Sequence, residues 1–378
     1  MTHVIVIGAS LAGTATAITL ANQGIKVSLV DKATFPRRKP CGEGLSARGL
    51  EELKRIGIEL SQCSEFALPL KGYRIESGSA WATISDGSTL TGIRRHQLDA
   101  ELLSHASNFP NITIHQATTV DRIESAARNF ELTFNQRSIT TPYVVIADGA
   151  TSPTLRALGK RCAEPANPRL GTSSSWQITR GSLAPYVHTS FVPGGELYLT
   201  PLSGEGVNIS VLGDKALIQR ASHPALLHEM VNTIANKLSI EMEMVAPPLG
   251  SGSLNSCYHG EHYRGAFVVG DACETFDPCA GFGMTHAILS GRLAAEHILK
   301  AEAMGCRDKA LREYAEARER LVSPLRGFTR LTSTMMRSRL GRLSLPVAAK
   351  TGIAGLVSHA AHSTTSGKPL RSLLALAG

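Results

Sequence analysis

Val4-Ile5-Val6-Ile7-Gly8-Ala9-Ser10-Leu11-Ala12-Gly13 opens the chain, and Lys26-Val27-Ser28-Leu29-Val30-Asp31 completes the unit it begins. Four β-branched apolar residues in a row suit a strand buried on both faces. A Gly-rich turn follows. Thr14 to Asn22 is then helix-compatible and rich in small residues, and Gly24 closes it. Gly8 suits a sharp turn, and Gly13 lets the helix approach the strand. The helix start turns free N–H groups and the positive end of its dipole toward a pyrophosphate. Asp31 lies 18 residues beyond Gly13, where it would accept hydrogen bonds from a ribose hydroxyl pair. The stretch predicts a dinucleotide-binding βαβ unit.

Ser10 departs from the pattern by replacing its middle glycine. A serine hydroxyl at that point can meet phosphate itself. A Gly-x-Ser pair also begins a nucleophile elbow, but that motif needs glycine at position 12. The chain has Ala12, so a serine hydrolase is excluded.

At 378 residues the chain has room for one large domain or two ordinary ones. The expected start of the first strand leaves no space for a signal peptide, and no apolar run is long enough to cross a membrane. The seven cysteines are scattered without a Cys-x-x-Cys pair, which indicates neither a metal site nor a disulfide framework. Reduced thiols and a cytoplasmic setting are the expectation. The formal charge of +8 is concentrated at the end of the chain. From Leu321 to Gly378 there are eight Lys or Arg and no Asp or Glu. No aromatics interleave that basic stretch in the manner of a nucleic-acid surface, so no nucleic-acid role is expected.

Downstream, residues 32–50 form a basic Pro/Gly-rich loop that leads into a helix expected over 51–62. Strands are expected at 72–76 and 81–84 with an Asp86-Gly87 turn, then a helix over 95–107. Short strands follow near 111–116, 119–125, 129–134 and 143–147. The stretch 170–213 is strand-rich, 216–240 helical, 267–271 a buried strand, and 284–303 a long helix. Parallel-strand pieces thus recur near positions 4, 27, 143 and 267, separated by strand-rich insertions. The pattern predicts an α/β chain: a discontinuous Rossmann-like domain (1–70, 94–165 and 250–320) with a mostly antiparallel β substrate domain (71–93 and 166–249) threaded through it. A basic helical region, 321–378, would follow. Asp31, Asp148 and Asp271 fall at strand ends, where ligands collect in such folds.

A second constellation lies at 270–291, GDACETFDPCAGFGMTHAILSG. A loop stiffened by Pro278 and opened by Gly281 and Gly283 runs straight into a helix. This second helix start suits a developing negative charge, such as that on a reduced isoalloxazine.

Here the chain resembles the FAD-dependent monooxygenases of the p-hydroxybenzoate hydroxylase type, and within them the geranylgeranyl reductase-like branch. Four stretches carry the resemblance: Gly8 to Gly13 with Asp31, KPCGEGLSARG from Lys39 to Gly49, ADGATSPTLR from Ala147 to Arg156, and Gly270-Asp271-Ala272 with Pro278 to Gly283. Arg95 in RRHQLDAELL also matches an arginine that the family sets against FAD. The match runs from residue 1 to about residue 320.

The resemblance implies FAD held by Gly8, Ser10, Leu11, Ala12 and Gly13, by Asp31, Lys32 and Arg38, and by Cys41, Gly42, Glu43 and Gly44. It further implies contact from Arg95, Asp148, Gly149, Gly270, Asp271, Pro278, Gly281, Phe282, Gly283 and Met284. Asp271 would reach the ribityl chain or a ribose oxygen. Pro278, Gly281 and Gly283 would line the isoalloxazine. NADH or NADPH would serve as transient reductant, since no second dinucleotide motif is present. Phe282 stands where relatives often carry a small or acidic residue and would alter the ring pocket.

The expected activity is hydroxylation of an aromatic, polyketide-like or other unsaturated substrate, small or carrier-bound, with O₂. Reduction of prenyl or lipid double bonds is the alternative. A third reading is a flavoprotein that modifies a side chain of a partner protein. The strand Glu196-Leu197-Tyr198-Leu199-Thr200-Pro201 favours the hydroxylating relatives, because the reductases often carry an aromatic-rich strand ending in Phe-Pro. With only Trp81 and Trp176, the chain lacks the Trp-x-Trp-x-Ile-Pro motif of halogenases. No catalytic acid–base pair stands out. His96 and His286 are candidates, and Cys41 is a candidate thiol near the flavin. The basic tail would suit an anionic membrane surface or an acidic protein.

Overall fold

The computed structural model describes residues 2–60, 65–77, 80–85, 90–126, 129–160, 168–254, 257–338 and 344. The Asp86-Gly87 turn and the basic tail beyond 338, apart from Ser344, lie outside the described residues. The helices are α1 (Leu11–Ala21), α2 (Ala47–Arg55), α3 (Arg95–Ser107), α4 (Pro153–Ala157), α5 (Lys215–Ala221), α6 (Pro224–Leu238), α7 (Gly283–Met304) and α8 (Arg307–Arg337).

The first strand, His3–Ile7, runs through a six-stranded sheet. The order is His262–Tyr263, Ala266–Val268, Tyr143–Ile146, His3–Ile7, Lys26–Val30, Ile112–His115. All pairings are parallel except the edge hairpin of the first two strands. Side chains alternate along a strand, and that alternation divides the core. Val4 and Val6 share one core with Ile18 of α1 and Ile288 of α7. Ile5 and Ile7 face the other way, onto Ile123, Phe130 and Leu132 of an antiparallel sheet built from Arg122–Ala126, Asn129–Phe134 and Arg137–Thr141.

A second, seven-stranded sheet has the order Glu241–Ser251, Leu170–Arg180, Gly206–Gly213, Gly195–Pro201, Val187–Val192, Tyr73–Ser77, Ala80–Ile84. It is antiparallel except where Val187–Val192 runs parallel to Tyr73–Ser77. Trp176, Leu197, Leu199, Val207, Ile209 and Val211 pack on Leu217 of α5 and Leu227 and Val231 of α6. The opposite face is polar: register sets Ser173 beside Ser210, Ser210 beside Tyr198, and Tyr198 beside Thr189.

Several elements differ from the sequence expectation for identifiable reasons. α2 starts at Ala47, because Ser46 caps it by accepting from the Gly49 N–H at 3.3 Å. The stretch 216–240 splits into α5 and α6 at Pro224, which sits in the first turn of the second helix. The strand expected over 267–271 ends at Val268, and Gly270–Ala272 forms a 3₁₀ turn. Glu241–Ser251 is an unexpected strand that contains Pro247 and Pro248; it is tolerated because it lies at the sheet edge.

The helix expected from 321 onward begins at Arg307 and runs through Pro324. Leu325 and Met336 point inward, whereas Leu331 of the expected apolar stripe is 52% exposed. Arg318 of the same helix is fully buried and pairs with Glu261 and Glu274. Arg326 adds a second guanidinium to Glu274.

Candidate functional site

At the Gly-rich turn the glycines are required sterically. Gly8 has φ +106°, and a Cβ there would lie 2.4 Å from the Ala147 carbonyl oxygen. A Cβ on Gly13 would lie 1.7 Å from the Gly8 oxygen, so the helix starts in direct contact with the strand end. Ser10 is the N-cap of α1 but makes no capping bond with its side chain. Asp31 accepts from the Ala9 N–H at 2.7 Å through one oxygen and from the Ala33 N–H at 2.8 Å through the other. It pins both the turn and the loop that leaves the second strand, and each oxygen keeps a lone pair for a further donor.

Arg95, 6% exposed, joins this turn to the 39–49 loop. Its guanidinium donates to Ser10 Oγ at 2.6 Å and to Asp99 Oδ1 at 3.0 Å, and stands 4.0 Å from Cys41 Sγ. Ser10 Oγ also lies 3.2 Å from Asp99, to which it donates its proton. Ser10 thereby links the turn to Arg95 and Asp99. The loop reaches the second sheet as well. The Cys41 N–H donates to Ser173 Oγ at 3.2 Å, and Ser210 Oγ donates to the Cys41 carbonyl at 3.4 Å.

All four motif stretches meet. Lys39 lies 3.7 Å from Asp271, and Ser46 Oγ is 2.7 Å from Thr285 Oγ1 in the first turn of α7. Helices α1 and α7 pack through small residues. A Cβ on Gly291 would sit 2.2 Å from the Ala12 carbonyl oxygen, and Thr16 Oγ1 donates to the Gly291 carbonyl at 3.0 Å. A Cβ on Gly270 would sit 3.0 Å from that of Ala12. The two helix starts are thus held in one unit.

The start of α7 has no side-chain cap. Just before it, Asp277 organises the turn. It accepts from the Cys279 N–H at 3.1 Å, from Ser333 of α8 at 2.8 Å, and from Arg169 at 2.6 Å. Arg169 also pairs with buried Glu196 of the second sheet. Burial alone would raise the Asp277 carboxyl, but Arg169 and these bonds hold it below the usual carboxylate range. Its folded value is depressed, so its contribution is complete above the unfolded value of about 4 and is lost as pH falls through the folded value. Asp277→Asn is expected to lose about 3 kcal/mol in urea unfolding at pH 7. The gap to wild type should narrow as pH drops below about 4.

The other expected residues are placed as follows. Gly42 and Gly283 are exposed and have open space where a Cβ would be. Pro278 is exposed, Gly281 is half-buried with φ +70°, and Met284 is buried in the core. Gly149 is half-buried beside open space, and Gly44 pairs with Gly92. Lys32 is exposed, and Arg38 donates to the Pro247 carbonyl at 2.8 Å.

Three side chains have partners within the protein. Glu43 caps α3 by accepting from the Arg95 N–H at 2.8 Å. Asp148 accepts from Ser152 and from the Thr154 N–H of its own downstream turn. Phe282 is 1% exposed and packs on Leu325 and Phe328 of α8.

His286 is fully buried against Phe276 and Arg318. Desolvation, then Arg318 and Arg326, hold its imidazole well below the usual range, so it stays neutral. His96 is lowered by burial and then by Arg94. Burial raises the Cys41 thiol, and Arg95 offsets this only in part. The midpoint of Cys41 alkylation against pH, with Cys41→Ser as blank, is therefore expected above the free-thiol value of about 8.5. A midpoint below it would restore Cys41 as an activated thiol.

Asp99, Arg169 and Asp277 were missed from sequence. Asp99 was legible, because Arg95 and Asp99 stand at the i, i+4 spacing of a helical ion pair. Arg169 and its partners are far apart in sequence and carry no such signal.

The arrangement suits FAD: a steric glycine cradle, an uncapped helix start beside an acid at the second strand's end, and a second uncapped helix start behind an open glycine. Comparison with known proteins agrees. A family model described as "FAD binding domain" matches residues 1–183. The menaquinone reductase of Mycolicibacterium smegmatis is 28% identical over 316 residues, which span 78% of this chain and 75% of that one. The digeranylgeranylglycerophospholipid reductase of Methanosarcina acetivorans is 27% identical over 341 residues, spanning 84% and 79%. Among solved structures, p-nitrophenol 4-monooxygenase PnpA from Pseudomonas putida shares the fold with TM-score 0.79 at 15% identity, covering 97% of this chain and 100% of that one.

The chain is an FAD-dependent oxidoreductase. It is built on the fold that flavin monooxygenases and a geranylgeranyl reductase-like protein share. Among the described residues no helix is long and apolar enough to cross a membrane.

Proposed function

We propose that the chain is an FAD-dependent reductase that saturates carbon–carbon double bonds of an isoprenoid-type lipid or quinone, with NADH or NADPH as electron source. The observation that carries this reading is the relatedness over more than three quarters of the chain to proteins named for reducing menaquinone and a digeranylgeranyl glycerophospholipid. Apolar clusters agree in chemistry: one holds Leu68, Tyr73 and Val187, the other Phe191 and Met335 of α8, and a Cβ on Gly281 would lie 3.5 Å from the Tyr73 hydroxyl.

FAD, when bound, supplies two-electron transfer. The protein's residues bind and orient. The N–H groups at the start of α1 hold the diphosphate, Asp31 the ribose, and Arg95 the link to the 39–49 loop. The start of α7 favours negative charge on the ring. Helix α8 covers the turn and excludes water.

Hydroxylation with O₂ is the second reading. It is favoured by strand Gly195–Pro201, which carries Tyr198 and Thr200 in place of an aromatic-rich strand ending in Phe-Pro. Turnover of geranylgeranyl diphosphate or menaquinone with NAD(P)H, run with and without O₂, separates the two. Reduction predicts equal rates and a product that has gained hydrogen. Dependence on O₂ with incorporation of an oxygen atom would sink it in favour of hydroxylation. We also place the protein in the cytoplasm, on the ground that its cysteines lack any paired framework.

A further inference from the structure

The short stretch Lys39-Pro40-Cys41 is tied at both ends to residues around the start of α1. At one end, Cys41 Sγ stands 4.0 Å from Arg95, whose guanidinium bonds Ser10, the N-cap of that helix. At the other end, Lys39 Nζ lies 3.7 Å from Asp271 Oδ2. Asp271 belongs to the Gly270–Ala272 turn, which packs on the first turn of α1: a Cβ on Gly270 would lie 3.0 Å from that of Ala12. Both charged side chains remain open to solvent, Lys39 at 32% and Asp271 at 35% exposure, so a ligand can reach either.

The charges around this helix start decide what Lys39 is for. A diphosphate is an anion, and the helix start supplies only about half an elementary charge against it. Three acids stand near. Asp31 accepts from the Ala9 and Ala33 N–H groups, and Asp99 is paired with Arg95 at 3.0 Å. Asp271 has its ion pair with Lys39. Without that ammonium a carboxylate would face the diphosphate unbalanced, and like charges so placed repel. With it the pair is neutral, and Lys39 keeps further N–H donors for an oxygen ligand. The neighbouring cations are spent otherwise. Arg95 is buried on Ser10 and Asp99, Arg37 stacks on Phe35 at 4.9 Å, and Arg38 donates to the Pro247 carbonyl.

We propose that Lys39 is an FAD-binding residue: its ammonium offsets the Asp271 carboxylate and donates to a diphosphate oxygen at the start of α1. The inference rests on the placement of the diphosphate at that helix and adds to it the cation that the helix alone does not supply. It also gives the loop a direct hold on the cofactor, since Lys39 and Cys41 sit two residues apart on one strap joining Asp271 to Arg95.

The test uses FAD-loaded wild type, Lys39→Met, Lys39→Arg and the double variant Lys39→Met with Asp271→Asn. Each is diluted serially at low and at high NaCl, and the fluorescence of released FAD gives its dissociation constant. At low salt Lys39→Met is expected to hold FAD about five- to tenfold more weakly than wild type. Lys39→Arg, which keeps the charge, should stay close to wild type. The gap between Lys39→Met and wild type should narrow at high salt, because the groups are open to screening. Asp271→Asn should restore part of the loss in the double variant, because it removes the carboxylate left facing the anion. Equal affinity of wild type and Lys39→Met overturns the proposal. So does an equal loss in Lys39→Met and Lys39→Arg, or a gap that salt leaves unchanged, since either would make Lys39 a structural part of the loop. A double variant weaker than Lys39→Met overturns the charge balance and the proposal with it. Should Lys39→Met retain no FAD, a crystal structure of the FAD-bound wild type decides. A phosphate oxygen within about 4 Å of Lys39 Nζ supports the proposal. A diphosphate at the start of α1 but farther from Lys39 refutes this proposal alone, and a diphosphate held elsewhere refutes the shared placement as well.

Discussion

Gly13→Val is expected to lose FAD altogether and to unfold with little or no cooperative stability left. The Cβ alone would sit 1.7 Å from the Gly8 carbonyl oxygen, and that oxygen belongs to backbone held between two strands. No rotamer relieves the contact. The helix must move away from the strand, which pulls Ala12 from Gly291 and opens the α1–α7 interface. Overpacking of a core by a side chain costs about 1–3 kcal/mol, and a clash with fixed backbone lies at or beyond the upper end of that range. Gly327→Ala is the control. Nothing lies within 4 Å of a Cβ there, so stability should hold or rise slightly, by no more than about 1 kcal/mol. Urea unfolding with bound-flavin content as a second readout measures both. Full FAD content in Gly13→Val would contradict the steric role assigned to this glycine.

The second large effect is expected at Arg318. Its guanidinium is fully buried, 3.2 Å from Glu261 and 2.6 Å from Glu274, and it also contacts His286 Nε2 at 2.8 Å. Removing one member of a buried ion pair leaves the other desolvated without compensation, at about 3–5 kcal/mol. Arg318→Met should therefore lower the melting temperature by roughly 4–6 °C. Arg326 still serves Glu274, whereas Glu261 loses its 3.2 Å pair with Arg318. Adding Glu261→Gln to Arg318→Met should restore part of the loss, because it removes the charge left behind. A double variant less stable than Arg318→Met would show that Glu261 has a stronger partner elsewhere. Helix α8 also carries Ser333, which bonds Asp277, so loosening it should weaken flavin retention as well.

Much of the nucleotide-binding half was legible because its signals are local. A β-branched run, two sterically demanded glycines and an acid at a strand end follow each other within thirty residues, and each has one geometric reading. Of the second sheet, Tyr73–Ser77 and Ala80–Ile84 were legible from alternation, and 170–213 as a strand-rich stretch. What escaped has physical reasons. Pro247 and Pro248 disguise Glu241–Ser251, because proline argues against a strand unless the strand lies at an edge, and sequence does not show edges. The first half of α8 reads as a charged, solvated helix. Its fully buried Arg318 cannot be told from its exposed neighbours Arg312 and Arg320 without knowing that Glu261 and Glu274 wait inside. The same holds for Arg169, Glu196 and Asp277, which are brought together only by tertiary structure. Ser10 bonds Arg95 and Asp99, a partnership the sequence offered only through the i, i+4 spacing of those two residues.

The central claim is that two helix starts, α1 and α7, hold opposite ends of one FAD. A crystal structure of the FAD-bound protein tests it most directly. The account predicts the diphosphate against the N–H groups of residues 9–13, with the isoalloxazine beside Pro278, Gly281 and Gly283. A flavin whose ring lies away from the 278–283 turn, or whose diphosphate is held anywhere but the start of α1, would contradict it.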